Sequence, residues 1–559
     1  MNFIKKYFVI VFIFFMLFLS FIPNLYEELV TNLLPPDRTM IWGEHSYTYD
    51  YNVYLSKIRQ GLEGRSSVVD KYDNTQDQKG IFLVMIYLIA GKIASIFKQL
   101  TPTFTYHLLR VFTSVFWISV IIFLNMHYLK KISLINLGVT LSLLTASFPV
   151  FYRFDDQQWI TFYMNWWQEL DILKRISFIP HDTLNYIFIS IFTILLGLVD
   201  KNKKYFIILC VLLFFSVFIQ PSSAILFVIS WTLFNLFKYF WLKSLTSDLI
   251  AEKIKQTFLI LIAISIPLLY IKSVTSSYPW KSLMDFHENN MLVFNVKDYI
   301  LALGPLFFTG IAGGLLVVYK KKQELLGLVT WIFGVFIAIV LFKFFPYQSL
   351  RFIQTANHIP LAILSTYLFY ELWKKAKLRV IKFIIIMVVI TVIINGLAQA
   401  FFSIKSQTQF INQRARATLP LVPYPPQVMY PLNDFYNGLK WLETNTDHQT
   451  VVLAKITASN YIPAYSGNFV YVGHIAETPH FNERIKKADE FFSGIWEEKQ
   501  AFNFLKTENI DYIFYGPQEK EGAVKDINVY TFLKANYQSP LVIIYKVNYS
   551  LSREGGNPD

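Results

Sequence analysis

Through the first 404 positions, long apolar runs alternate with short connections that carry most of the lysines. The opening stretch, MNFIKKYFVIVFIFFMLFLSFIP, places Lys5 and Lys6 before an apolar run of signal-anchor length. No small-residue cleavage site precedes Pro23, which predicts an uncleaved first span with a cytoplasmic N-terminus. Further spans are predicted near 106–128, 133–150, 183–199, 205–219, 222–241, 257–274, 298–318, 324–342, 359–373 and 380–402. The run 80–97, GIFLVMIYLIAGKIASIF, is just long enough to cross but contains Lys92. If it stays on one side, five lysine clusters share the cytoplasmic face: Lys130/Lys131, Lys201/Lys203/Lys204, Lys243/Lys253/Lys255, Lys320/Lys321/Lys322 and Lys374/Lys375/Lys377/Arg379. If it crosses, all of them flip outside. The positive-inside bias therefore favours a re-entrant or interfacial helix at 80–97 and about eleven true spans.

After Ala400 the hydropathy falls. Residues 405–432 read as a linker containing LPLVPYPPQVMYP. From 433 to 559 helical and strand patterns alternate. Phe435, Leu439 and Leu442 recur at helical spacing in 433–444, and 482–493 and 496–508 are further helices. Thr450–Ala454, Phe469–Val472, Asp511–Tyr515 and Leu541–Val547 are short apolar strand candidates. The expected fold is an α-helical polytopic membrane domain over 1–404, whose first outer loop spans 26–105, followed by an extracytoplasmic α/β domain over 433–559.

Composition narrows the class. Of 559 residues, 54% are hydrophobic, 18% aromatic and only 16% charged, with a mean hydropathy of +0.39. A soluble chain carries roughly a quarter charged residues, so this one needs a bilayer. The net charge is +13, from 51 Lys+Arg against 38 Asp+Glu. From Lys405 onward 15 basic residues face 16 acidic ones, so the excess lies in the membrane half. There it reports topology, not a nucleic-acid partner. The single cysteine, Cys210, excludes an intrachain disulfide framework. No glycine-rich nucleotide loop occurs in the tail.

The long outer connections hold the candidate chemistry. In the first, WGEHSYTYDYNVYLSKIRQGLEG, the residues Tyr51, Tyr54, Leu55, Ile58 and Leu62 recur at helical spacing and predict an amphipathic helix at the membrane surface. Asp50 at its start either caps the helix or serves as a general base. The second loop carries Asp155 and Asp156 beside Arg153, the pair Trp166 and Trp167 suited to an interfacial belt, and then Glu169, Asp171, Arg175, His181 and Asp182. The third offers Trp280, Lys281, Asp285, His287 and Glu288. In the fourth, FKFFPYQSLRFIQTANHIP, Arg351 can snorkel or grip a phosphate, with Gln348, Gln354 and His358 near in sequence. Metal-ligand spacing of the HExxH kind is absent from the sequence, so metal use stays open.

Taken together, YDYNVYLSKIRQGLEG, ELDILKRISFIPHD, YPWKSLMDF, LRFIQTANHIPLAIL and the tail IPAYSGNFVYVGHIAETPHF…DYIFYGP resemble a bacterial branch of the GT-C-type membrane glycosyltransferases. The layout of an N-in span, an acidic first loop, many spans and an outer α/β domain is similar over nearly the whole chain. The resemblance implies a multi-pass plasma-membrane enzyme with its C-terminal domain outside. It would transfer a sugar from a polyprenyl-phosphate donor to a glycan, lipid or protein acceptor. Asp50 matches the family's first-loop carboxylate and would be the base. Asp155 and Asp156 match an acidic pair that some members carry at the start of the second loop, and Glu169 and Asp171 are further acidic candidates there. Arg351 would hold the lipid phosphate, helped by Lys281 or Arg175. Tyr51, His181 and Trp280 would orient the sugar. One base and one leaving-group clamp imply inversion. No cofactor follows from the residues, and a divalent metal is the one the family leaves open.

Two rivals come from other classes. A transporter would show internal repeats and mid-span charges, and neither is evident. A non-catalytic envelope-assembly protein would bind glycans or a partner through the tail, where GHIAETPH offers His474, Glu477 and His480.

Overall fold

The apolar runs fold as helices. A computed structural model describes residues 2–44, 47–97, 99–154, 157–243, 247–345, 347–416 and 429–550. Among these, six helices are long and apolar enough to cross a membrane: Phe8–Leu33, Pro102–Leu129, Pro221–Trp241, Asp248–Val274, Gln323–Phe344 and Arg379–Ala415. The expected single span at 298–318 is instead a pair, Val296–Ala302 and Pro305–Tyr319, bent by 93°. Gly304 at the break has φ +69°, a conformation open to glycine, and a Cβ there would strike the carbonyl of Ala146. Pro305 then starts the second helix without needing an amide partner. At the other expected spans the structure has the helices Ile132–Leu144, Pro180–Leu196, Lys203–Val217 and His358–Lys375, none of which is among those six.

The chain divides into two compact units. The first contains residues 1–25, 109–271 and 291–406. In it Pro305–Tyr319 packs on His358–Lys375, which also packs on Ile132–Leu144, and Pro221–Leu236 packs between Pro180–Leu196 and Leu326–Leu341. Gly310 and Gly313 face the backbone of Leu361 and Leu364 so closely that no Cβ would fit. Small residues at such a crossing let two helices approach without a side chain between them. An antiparallel hairpin, β1 (Pro149–Phe154) and β2 (Gln157–Phe162), occupies the second outer loop, where no strand was expected.

The second unit contains residues 26–108, 272–290 and 407–559, so the first outer loop and the tail fold together. The run at 80–97 forms a helix of only nine residues, Ile86–Ala94. Its rise of about 14 Å falls short of a bilayer core of about 30 Å. It packs against Thr48–Leu62, the predicted loop helix. The sequence pattern gives that helix a wet face, but the structure covers it. Tyr51, Leu55 and Ile58 are fully buried on one side, each contributing about 1.5–3 kcal/mol if exposed on unfolding. The polar side is enclosed by the tail: Arg59 donates to the Ala464 and Tyr465 carbonyls of the helix Ile456–Tyr465, each at 2.8 Å, and Lys57 lies 3.3 Å from Glu477 in the loop after the strand Phe469–Val470. Buried charges are tolerated when so partnered.

The tail's sheet has the order β4–β3–β5–β7–β6. Its strands are β3 (Val451–Leu453), β4 (Phe469–Val470), β5 (Tyr512–Tyr515), β6 (Leu533–Gln538) and β7 (Ile543–Val547). The pairs β3–β4 and β3–β5 are parallel, while β7 runs antiparallel to both β5 and β6. Helices Asn433–Asn445, Phe481–Phe492 and Glu498–Thr507 match the expected ones within a few residues.

Candidate functional site

In the loop–tail unit, Asp50 lies in the first turn of Thr48–Leu62, and the cap position itself is Tyr47. A carboxylate in a first turn is favoured by the helix dipole, so local physics accounts for an acidic residue here without a capping role. The Asp50 side chain is 56% exposed. Its Oδ1 lies 3.1 Å from Nε2 of His474, whose own side chain is only 6% exposed. The His474 ring stacks on Tyr49 with centroids 4.3 Å apart. The Tyr49 hydroxyl accepts the Ile475 N–H at 2.9 Å, and burial raises its pKa above the ordinary tyrosine value. Thr478 Oγ1 accepts the amides of Gly473 and His474 and donates to the Tyr72 carbonyl, which fixes the loop that carries His474. Close by in sequence, Glu477 pairs with Lys57, and Asp73 with Arg484 at 2.8 Å. Burial, then the charges of Glu477 and Asp73, push the Asp70 carboxyl well above its usual range.

The other expected residues of this unit have different settings. Tyr51 is fully enclosed, with its hydroxyl donating to the Trp42 carbonyl at 3.2 Å, so Tyr49, not Tyr51, is the ring packed beside the Asp50–His474 pair. Trp280 is buried with Val68, Ile81 and Leu88, and its Nε1 has no hydrogen-bond partner among the described residues. Lys281 is partly exposed, 4.0 Å from Asp285 and over the ring of Tyr278.

In the helical unit, a polar network gathers several expected residues. Arg351, in the turn Ser349–Phe352, donates from Nη1 to Oε1 of Gln354 at 3.1 Å. Gln220 donates to the same oxygen at 2.9 Å. Gln354 in turn donates from Nε2 to Oδ2 of Asp182 at 3.4 Å, an oxygen that also accepts from Gln168. His181 Nε2 stands 3.9 Å from the other Asp182 oxygen. Among the described residues no carboxylate forms an ion pair with Arg351.

Glu169 is 2% exposed and lies 3.6 Å from His358 Nδ1. Burial pushes its carboxyl up to about 8, against the opposing pull of the Tyr186 hydroxyl and the Arg175 guanidinium. A cavity of about 10 Å³, room for one water, is lined by Glu169, Arg175, Tyr299, Asn357 and His358. Arg175 is spent on structure: it donates to the Leu143 and Thr145 carbonyls at 3.0 and 2.7 Å, and burial lowers its pKa to about 10. Asp171 accepts the Leu173 and Lys174 amides and so closes the turn before Lys174–Ser177. Asp155 and Asp156 lie outside the described residues. Among the described residues no three His, Cys, Asp or Glu groups converge as a metal site.

No family model and no curated protein matches the chain. Solved structures do. The apo oligosaccharyltransferase from Archaeoglobus fulgidus is similar over 98% of this chain and 76% of its own, with TM-score 0.54 and 12% identity. The same organism's oligosaccharyltransferase AglB, in complex with an inhibitory peptide and a dolichol-phosphate, gives 98%, 75%, 0.52 and 11%. ArnT from Cupriavidus metallidurans bound to undecaprenyl phosphate is similar over 97% of this chain and 99% of its own, with TM-score 0.52 and 9% identity. The chain has the GT-C fold. Within that fold it is a multi-pass membrane protein with a tail domain built on a sheet.

The sequence pointed to Asp50, Arg351 and the Glu169–Asp182 loop. It did not reveal Gln220 in the Arg351 network, and it offered His474 only as part of a separate binding site. Neither had a local signal, because each meets its partner across more than a hundred residues of chain.

Proposed function

We propose that the protein is a membrane glycosyltransferase that takes its sugar from a polyprenyl-phosphate donor and transfers it on the extracytoplasmic face with inversion. The observation that carries this reading is the exposed Asp50 carboxylate held by a buried histidine, in a chain of GT-C fold. The matched ArnT and AglB structures hold undecaprenyl phosphate and dolichol-phosphate, which supports a lipid-phosphate donor here.

In the proposed step an acceptor hydroxyl oxygen forms a bond to the anomeric carbon. The bond from that carbon to the phosphate oxygen breaks, and its electron pair leaves with the lipid phosphate. The hydroxyl proton passes to the Asp50 carboxylate. Arg351, which forms no ion pair with a described carboxylate, neutralises the departing phosphate, and such charge stabilisation is usually the largest single contribution. Gln354 accepts from the Arg351 guanidinium, and Gln220 donates to the same Gln354 oxygen. Lys281 is a second candidate for the phosphate, while His181 and Trp280 remain candidates for contact with the sugar.

The test uses the purified full chain in lipid nanodiscs with radiolabelled sugars on undecaprenyl phosphate. Wild-type protein should release undecaprenyl phosphate and Asp50→Asn should not. Equal release by the two would remove Asp50 as the base.

A further inference from the structure

His474 reaches Asp50 across 424 positions of chain, and its second ring nitrogen identifies its protonation form. Nδ1 of His474 accepts the backbone N–H of Ala476 at 3.2 Å. A nitrogen that accepts carries no hydrogen, so the ring hydrogen resides on Nε2 and is donated to Oδ1 of Asp50. Neighbouring groups hold the imidazole in that pose. Tyr49 stacks against its face, Thr478 holds its backbone amide, and Tyr72 tilts against it at 5.9 Å. The amide of Asn460 ties the Tyr49 carbonyl to the Gly473 carbonyl, so the loop helix and the histidine loop share one anchor.

We propose that His474 is the positioning residue of Asp50: a tail-derived imidazole, locked as the Nε2–H tautomer, donates to Oδ1 and sets the rotamer of the carboxylate that receives the acceptor proton. This rests on the proposed base role of Asp50 and adds a task for the tail domain, which completes the loop carboxylate. A misplacement of the carboxylate by about 1 Å can cost about 100-fold in rate. The histidine forms no bond in the reaction and holds no proton in transit. It restricts where the carboxylate points.

Three substitutions separate this role from simple packing. His474→Phe keeps a ring against Tyr49 but donates nothing. His474→Gln lacks the stack but supplies an amide donor. His474→Ala supplies neither. With undecaprenyl-phosphate mannose and glucose as probes in nanodiscs, kcat for lipid-phosphate release should fall about 10- to 100-fold in the Phe and Ala variants with KM little changed. The Gln variant should recover most of the loss. If His474→Phe turns over within twofold of wild type while Asp50→Asn is inactive, the positioning role is wrong and the base assignment stands. If Asp50→Asn is fully active, the base assignment itself fails. A readout free of activity is the nitrogen spectrum of isotope-labelled histidine in the full chain. It should show His474 protonated on Nε2 and shifted by Asp50→Asn, and an Nδ1-protonated ring would overturn the proposal.

Discussion

Nδ2 of Asn52 donates to Oδ1 of Asn460 across 2.7 Å, joining the loop helix Thr48–Leu62 to the tail helix Ile456–Tyr465. Both asparagines are fully buried, and the Tyr72 hydroxyl donates to the Asn460 carbonyl at 3.0 Å. A hydrogen bond of this kind contributes modestly when made and costs more when one partner is removed, because the other stays buried and unpaired. Asn460→Ala is expected to lower the stability of the detergent-solubilised chain by about 1–3 kcal/mol. The exposed Asn445→Ala should stay within about 0.5 kcal/mol. Thermal unfolding followed by fluorescence checks both, and equal midpoints would show that this junction bears no stability.

Arg351 gives a prediction on activity. If its guanidinium neutralises the leaving phosphate, Arg351→Ala should reduce lipid-phosphate release by about 100-fold or more. Arg351→Lys keeps the charge but loses the planar fork that binds two phosphate oxygens at once. It should fall between the two. Rates with saturating donor, compared with binding of undecaprenyl phosphate alone, separate a loss of transition-state stabilisation from a loss of affinity.

Glu169 gives a prediction in pH. Its folded carboxyl is raised from 4.5 to about 8 by burial. The folded chain therefore holds this proton more tightly than the unfolded chain does. The resulting stabilisation is complete below about pH 4.5 and is lost as pH rises through about 8. Glu169→Gln keeps a neutral group of the same shape and should flatten this part of the profile, so that the variant unfolds at a higher temperature than wild type at pH 9. Parallel midpoints for the two proteins from pH 5 to 9 would show that the carboxyl titrates as an ordinary one.

Gly91 and Gly61 predict a steric limit. A Cβ at Gly91 would strike the Ile58 carbonyl, and one at Gly61 the Leu88 carbonyl. Both obstacles are backbone, which cannot swing aside. Gly91→Ala should cost about 1–3 kcal/mol or more through displacement of the helix Ile86–Ala94. Gly197→Ala is the control: its Cβ would meet only Ile194 at an ordinary 3.6 Å and should be nearly neutral. Melting temperatures of the two variants make the comparison.

Much of the architecture was legible along the chain because the relevant forces act locally. Runs such as 8–33 and 379–415 are apolar enough to be recognised one window at a time. Strands β3, β4, β5 and β7 are short apolar blocks between turn residues and were readable for the same reason. The edge strand β6 was not, since LKANYQ is largely exposed and owes its form to pairing with β7. The helix Ile456–Tyr465 also escaped notice. It is buried on all faces and contains Pro463, so it shows neither amphipathic period nor ordinary composition. Asp50 and Arg351 stood out because a charge at a membrane boundary is costly and calls for an explanation. Their surroundings did not. The wet face assigned to the loop helix is covered by Ala464, Tyr465 and Glu477 from the far end of the chain, and His474 and Gln220 meet their partners only after folding. Hydropathy and charge accumulate over neighbouring residues, so sequence displays them. A hydrogen bond between remote side chains depends on the packing of every element that separates them, and it exists only in the folded molecule.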